Sequence, residues 1–458
     1  MEFASAIFIW LFLPLSLLLY YALNLIRAEE KRLNAQNMVL LLLSCLFYLW
    51  GGFKAFALLC GLTVFNYAAG LIIEKRREKW LLALTVAADC SALAFFKYMN
   101  LRGMVMPLAL SFIIFQAVSY LADVFKGRVK AERSFLQFAL YIGFFAQMVQ
   151  GPIMRFEVLG SQIKKREHSF ELFAAGVKRF CIGLGKKIII ANSVGTVSDL
   201  IWSTDPSSLF TSQAWLGIVL YTLQIYFDFS GYSDMAVGVG KMFGFTLSEN
   251  FDYPYTSLSV QEFWRRWHIS LSGWFRDYIY IPLGGNRKGR FRTELNLFIV
   301  FLITGIWHGA DLSFICWGVF FGILSISERE FLGKWLKKNP VKPLNWLYTS
   351  FAVMMSWVMF RAKDMSYALS YYKVLFTGVT APEGLSLAMF LSWDVLFAML
   401  LGIVLSGWPQ RWLRPVYEKA EENTGFKAAE ALFLFAVFAW SLLLIVAGSY
   451  SPSIYGAF

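Results

Sequence analysis

Leu295–Ile326 reads LNLFIVFLITGIWHGADLSFICWGVFFGILSI, an apolar run with a histidine, His308, near its middle. A titratable ring at bilayer depth costs free energy, so such a residue is by default a functional-site candidate. The run is also too long for one crossing. Its 32 residues would extend about 48 Å as a helix, against a hydrocarbon core of about 30 Å. Gly305 and Gly309 bracket His308, and Asp311 follows. They offer a natural break, with an apolar half on each side, that would present His308 and freed backbone groups to an internal cavity. The alternative is a steeply tilted helix with His308 bonded to a neighbour.

The rest of the chain has the same character. Of 458 residues, 58% are hydrophobic and 18% aromatic, with a mean hydropathy of +0.55, above the roughly 45–50% apolar content of soluble domains. The composition describes a polytopic all-α membrane protein with roughly ten to twelve candidate spans, several shorter than the ~20 residues of a straight crossing. They include Phe8–Leu25, Met106–Ala122, Phe135–Val149, Leu172–Ile190 and Ala214–Phe229. Short or glycine-broken segments are tolerated where other protein or a cavity satisfies the backbone. No cleavable signal is evident, and positive charges follow the first apolar run (Arg27, Lys31, Arg32). That order places the amino end outside and the loops Lys75–Lys79 and Lys126–Arg133 in the cytoplasm. Such loops account for the net charge of +12 and give no reason to invoke nucleic acid. Cys45, Cys60, Cys90, Cys181 and Cys316 are scattered through apolar runs without a CxxC spacing. They read as small core residues, not as a metal or redox site. No internal repeat is evident, so a single membrane domain, 1–458, is expected.

The longest stretch that cannot be a simple span is 253–292, YPYTSLSVQEFWRRWHISLSGWFRDYIYIPLGGNRKGRFR. Trp264, Trp267, His268, Leu271, Trp274, Phe275 and Tyr278 fall on one face of a 3.6-residue repeat, with Arg265, Ser272 and Arg276 opposite. One amphipathic helix in the membrane interface is expected. His268 lies on its aromatic face, either as a packed histidine or as a functional one. The following turn, PLGGNRKG, carries Arg287 and Lys288 on flexible backbone that could cradle a phosphate-bearing ligand.

Four further polar positions read as structural. Asp228 and Asp234 in YFDFSGYSD (226–234) each need a donor partner, for which arginines of the following helix are candidates. Arg155 follows the Gly151-Pro152 stop in QMVQGPIMR. Arg361, in WVMFRAKD, reads as a span-end anchor that snorkels to the interface.

Four blocks in order, QIYFDFSGYSDMAVGVGKMFGF, ENFDYPY, EFWRRWHISLSGWFRDYIYIPLGGNRKG and GIWHGADLSFICWG, closely resemble the membrane-bound O-acyltransferase superfamily. Within it the resemblance is to the bacterial branch typified by alginate O-acetylation. LALSFIIFQAVSYLADVFKG and QGPIMRF fit as well, so the likeness runs from about 95 to 361, with N-terminal helices (1–94) before the O-acyltransferase core (95–365) and C-terminal helices (366–458) after it. It implies a ring of roughly 11 transmembrane helices with amphipathic and re-entrant helices around a central tunnel. It further implies acyl transfer to a hydroxyl, with His308 as the essential catalytic residue and His268 at the family's second important polar position. Relatives that load D-alanine onto teichoic acid share the WHG block.

The chemistry suits that implication. Moving an acetyl group from a thioester to an alcohol needs a base, and imidazole, with an ordinary pKa near ~6.5, is the usual one. The expected donor is acetyl-CoA, or another acyl thioester such as an acyl carrier, docking on the cytoplasmic side near Arg265, Arg266, Arg287 and Lys288; no bound cofactor or metal is expected. The acceptor would be a hydroxyl of an extracytoplasmic or cell-wall polysaccharide. The family likeness implies a separate extracytoplasmic acetyltransferase or carrier partner and a bacterial cytoplasmic membrane. D-alanyl transfer to teichoic acid is the nearest alternative. A secondary transporter, with His308, Asp228 and Asp234 as a proton relay, is the alternative from another class.

Overall fold

The computed structural model describes residues 1–100, 107, 109–378, 387 and 390–448, and among them every regular element is a helix. Contacts group the chain into two compact units: Met1–Gly183 with Tyr232–Glu249, and Leu184–Gly231 with the segment from Asn250 onward. Seven helices are long and apolar enough to cross a membrane, or eight if one pair bent by 64° counts as a single span. The protein is thus all-helical and polytopic.

The first unit opens with four apolar helices, α1 (Phe8–Leu25), α2 (Glu29–Leu49), α3 (Phe53–Arg76) and α4 (Lys79–Asn100). Three shorter ones follow: α5 (Leu110–Phe125), α6 (Phe135–Gly143) and α7 (Phe156–Lys164). Met106, the start of one expected span, lies outside the described residues. The expected span Phe135–Val149 stops early. After α6 the chain makes a short 3₁₀ turn, Phe145–Gln147, and Val149 takes a φ of 70°. Two long helices, α8 (Phe170–Ser203) and α9 (Thr211–Met242), belong partly to each unit.

In the first unit α8 and α9 touch through glycines, since a Cβ on Gly176 would stand 2.7 Å from the Gly238 carbonyl oxygen, and the reverse holds too. Beside this contact Arg179 of α8 donates to Asp234 at 2.9 Å and also pairs with Glu249 at 2.5 Å. In the second unit Lys187 of α8 bonds Asp228 of α9, both side chains buried. The acids are paired as expected, but their partners come from the preceding helix and not the following one. The reason is the close run of α8 along α9, while the arginines after α9 are committed to nearer carboxylates: Arg266 to Glu262 and Asp252, Arg276 to Asp277. Arg361, the last residue of its helix, also has a partner. It donates to Asp199 at 2.8 Å and stands over the Tyr221 ring.

The second unit also holds α10 (Val260–Arg266), α11 (Ile269–Phe275), α12 (Arg290–His308), α13 (Leu312–Lys338) and α14 (Lys342–Arg361). After them come α15 (Met365–Phe376), α16 (Trp393–Leu405), α17 (Trp408–Ala420) and α18 (Thr424–Val446). The long apolar run of 295–326 resolves into α12 and α13. The break falls at 309–311, and it reverses the chain. A Cβ on Gly318 would stand 2.5 Å from the Phe301 carbonyl oxygen, one on Gly305 2.5 Å from that of Phe314, and one on Gly322 3.2 Å from the Phe298 ring. At the far end Arg290 pairs with Glu330 at 2.5 Å. The halves therefore lie side by side as an antiparallel hairpin, and α13 returns towards the side from which α12 started.

Two stability predictions follow from these contacts. Gly318→Ala forces a methyl against backbone and should destabilise the protein by about 1–3 kcal/mol, while Gly322→Ala, facing a movable ring, should cost much less. Thermal unfolding in detergent compares them; equal melting points would refute the close approach. Lys187→Met should cost about 3–5 kcal/mol by stranding a buried carboxylate. The double variant Lys187→Met with Asp228→Leu should regain most of that loss in the same measurement.

Candidate active site

Between α9 and the hairpin the chain builds α10 and α11 where one amphipathic helix was expected. The start of α10 is heavily capped. Ser259 Oγ accepts from the Glu262 N–H at 3.1 Å, and the Glu262 carboxylate accepts from Leu258 N–H at 2.9 Å, a variant of the reciprocal capping box. The Glu328 carboxylate, carried by α13, accepts from Val260 N–H at 2.6 Å and Gln261 N–H at 2.9 Å. The free donors of a helix start are thus satisfied, and α10 is tied to the hairpin.

The helix stops at His268, whose φ of 46° and ψ of 53° are left-handed. A non-glycine residue there costs roughly 1–2 kcal/mol. The interrupted backbone is taken up by the segment 250–252. Asp252 N–H donates to the Arg266 carbonyl, Ile269 N–H donates to the Asn250 carbonyl, both at 3.0 Å, and Ser270 Oγ donates to Asn250 Oδ1 at 2.6 Å. The 3.6-residue apolar period runs straight through the break, which is why the sequence reads as one helix.

His268 is buried, its ring edge-on to Phe229 with centroids 4.7 Å apart. Its Nδ1 has no hydrogen-bond partner among the described residues. Burial pushes its pKa down to about 3, because desolvation penalises the cation. The ring is neutral throughout the physiological range.

His308 is the last residue of α12 and is also buried. The rings of Trp307, Phe360 and Trp317 stand 4.5, 4.9 and 5.1 Å from it. Asp311 caps α13 by accepting from Ser313 N–H at 2.8 Å, so the reversal beside His308 keeps its backbone bonded. Both histidines belong to one aromatic assembly. From His308 it passes through Phe360 and Trp357 to Trp267, and then through Phe229 to His268, with successive centroids 4.7–6.5 Å apart.

A cleft of about 280 Å³ opens between α11 and α12, with Trp264, Ser272, Arg276, Tyr280, Phe301 and Thr304 among its walls. Two of its polar groups come from the turns next to the histidines. Ser272 is one turn beyond His268 and bonds its carbonyl through the backbone at 3.0 Å; Thr304 is one turn before His308. Trp264, Trp317, Phe360, Arg276 and Thr304 were not singled out from sequence as site residues, although helical spacing places Trp264 one turn before His268 and Thr304 one turn before His308.

The other expected donor-side cations lie apart in character. Arg265 is exposed and bonds the Gln261 carbonyl at 3.3 Å, whereas Arg266 is engaged by Glu262 and Asp252. Arg287 and Lys288 are exposed on a turn whose Gly284, Gly285 and Gly289 have φ values of 112°, 55° and 83°, a backbone that favours glycine. Asn296 Nδ2 of α12 holds that turn by donating to the Gly285 carbonyl at 2.9 Å. Arg155 is the N-cap residue of α7 in the first unit, as is Asp234 a member of that unit, while Asp228 belongs to the second. Asp228 and Asp234 are each in an ion pair, which is a structural use. Among the described residues, no three His, Cys, Asp or Glu side chains gather as a metal site.

Comparison with known proteins identifies the family of the sequence. The sequence model of the membrane-bound O-acyltransferase family matches residues 40–374, which include both histidines. The chain is 37% identical to a probable alginate O-acetylase of Pseudomonas putida, with all of both chains covered. It is 35% identical to a peptidoglycan O-acetyltransferase of Helicobacter pylori, over 84% of this chain and 81% of that one. A teichoic acid D-alanyltransferase of Bacillus subtilis is 28% identical over 54% of this chain and 65% of its own. The chain belongs to the membrane-bound O-acyltransferase family, and it is a multi-pass membrane O-acyltransferase.

Proposed function

We propose that the protein moves an acetyl group from a cytoplasmic thioester, acetyl-CoA or an acyl carrier, to a hydroxyl of an extracytoplasmic or cell-wall polysaccharide. The observation that carries this reading is the position of His308, buried at the closed end of the hairpin within an aromatic enclosure. Water is scarce there, which protects a thioester from hydrolysis. His308 takes the acceptor's hydroxyl proton as the oxygen attacks the thioester carbonyl. The C–S bond then breaks, and the imidazolium returns the proton to the departing thiolate. The exchange is proton-neutral and needs no metal. His268, neutral and unpartnered at Nδ1, is suited to orient a polar group of substrate. Arg265, Arg287 and Lys288 are the exposed cations proposed to meet the donor's phosphates. Because this chain offers only short described segments outside the helices, an extracytoplasmic acetyltransferase or carrier is the proposed partner for a polymer acceptor, and a bacterial cytoplasmic membrane the proposed location.

With labelled acetyl-CoA and a hydroxyl acceptor, His308→Ala should lower transfer by about 10²–10⁴-fold while the protein still folds. Transfer unaffected by the change would overturn the role of His308, and transfer of a D-alanyl group from a charged carrier with none of acetyl would replace the acetyl assignment. At His268 the glycine variant tests the ring apart from the backbone. Gly accepts the left-handed φ, so His268→Gly should keep the fold while lowering turnover at least about tenfold. Full activity would make the position a turn and nothing more.

A further inference from the structure

The transfer step needs a hydrogen-bond donor as well as a base. When the acceptor oxygen attacks the thioester, the carbonyl π pair moves onto oxygen, and donors fixed in advance stabilise the charge that develops there. At the start of α13, next to His308, backbone donors are already committed. Ser313 N–H is taken by the Asp311 carboxylate, and Phe314 and Ile315 N–H by the Asp311 carbonyl. The rings around the imidazole belong to Trp307, Trp317 and Phe360.

Trp317, on the returning arm of the hairpin, meets the His308 ring edge-on, at 86° and 5.1 Å between centroids. It is 1% exposed, and its Nε1 is buried with no hydrogen-bond partner among the described residues. Its other neighbours include the rings of Trp264, Phe321 and Phe360, at 5.7, 5.2 and 5.3 Å. A buried donor without an acceptor costs free energy. Phe321 and Phe360 show that phenylalanine packs in this assembly, and at 317 it would strand nothing. Packing therefore calls for a ring here but not for its N–H. An indole nitrogen donates and does not accept, so the missing partner is an acceptor. The thioester carbonyl is an acceptor that the reaction itself brings. Trp317 also touches Trp264, which lines the cleft between α11 and α12, so it stands between that opening and His308.

We infer that Trp317 is a further catalytic residue, its Nε1–H donating to the carbonyl oxygen of the acyl thioester as negative charge develops there. The C–O bond forms while the acceptor's proton passes to His308. The pair on the carbonyl oxygen then returns to carbon, the C–S bond breaks, and the thiolate takes the proton from the imidazolium. The indole keeps its own proton throughout. Its hydrogen bond strengthens with the charge, so it lowers the barrier more than it tightens donor binding. The role rests on the acyl-transfer reading above, whichever acyl group and acceptor are used.

The test removes the N–H and keeps the ring. In the full chain in detergent, Trp317 is replaced by benzothienylalanine, whose sulfur stands where the indole N–H was; Trp317→Phe and Trp307→Phe are made beside it. Transfer from labelled acetyl-CoA to a hydroxyl acceptor is followed at varied donor concentration. The benzothienyl protein should melt with the wild type, hold its KM for the donor and lose about 10²-fold in kcat, and Trp317→Phe should lose at least as much. Full turnover by the benzothienyl protein would reduce Trp317 to packing and overturn the role. A raised KM with unchanged kcat would overturn it too, as would a kcat loss in Trp307→Phe with none at 317. An infrared measurement avoids turnover by using His308→Ala. There the labelled carbonyl of bound acetyl-CoA should absorb at lower frequency beside tryptophan than beside the benzothienyl ring, and equal bands would count against the hydrogen bond. Wild-type protein that moves no acyl group from any thioester would end the acyl-transfer reading and this role with it, whereas indifference to the N–H ends this role alone.

Discussion

The approach of α12 to α13 at Gly305 and Gly318 is the contact on which the rest of the second unit depends. Each glycine lies within 3.2 Å of where the other's Cβ would extend, so the two backbones meet with no side chain between them. In a bilayer there is little hydrophobic gain from helix association, and small residues that permit backbone contact supply much of the packing. Gly309 makes the same allowance at the tip, where a Cβ would collide with the Phe314 ring. Arg290 and Glu330 close the open end. Without those three glycines the chain would lack the room to turn back.

That hairpin sets both histidines. It places His308 at its closed end, and through Glu328 on its returning arm it fixes the start of α10. From there α10 leads within two residues to His268. Trp264 on α10 packs on Trp317 and Phe321 of α13 with centroids 5.7 and 4.9 Å apart, and on Phe301 of α12 at 5.5 Å. One indole thus touches both arms while lining the cleft. The site is built by packing against the hairpin, which gives a neutral, water-poor setting rather than a polar one.

Much of this was legible in the residues. The isolated His308, the glycines around it and the excess length of its apolar run identified the break. The family likeness, carried by four ordered blocks, supplied the reaction class. What remained hidden has physical causes. A hairpin and two successive half-spans have the same apolar pattern, and only the Gly305–Gly318 contact, which depends on partners 13 residues apart, separates them. The turn at His268 was invisible because the apolar period continues across it and the residues that relieve its backbone, Asn250 and Asp252, precede it by a whole helix. The partners of Asp228 and Asp234 were misplaced because charge alone carries no direction along the chain; the glycines of α8 and α9 decide it. Asp311 was seen as a neighbour of His308, whereas its work is to cap α13.

The two histidines are buried at different cost, and the difference bears on function. His308 has helical backbone and aromatic neighbours. His268 adds a left-handed backbone to complete burial, with no hydrogen-bond partner at Nδ1 among the described residues. Asparagine or glycine would take the same backbone with less strain, and an apolar ring would fill the space beside Phe229 without stranding a polar atom. A residue held in strained geometry with an unsatisfied buried nitrogen, where cheaper substitutes exist, is the pattern expected when the side chain itself is needed. That argument supports a working role for the imidazole of His268 without reference to any relative.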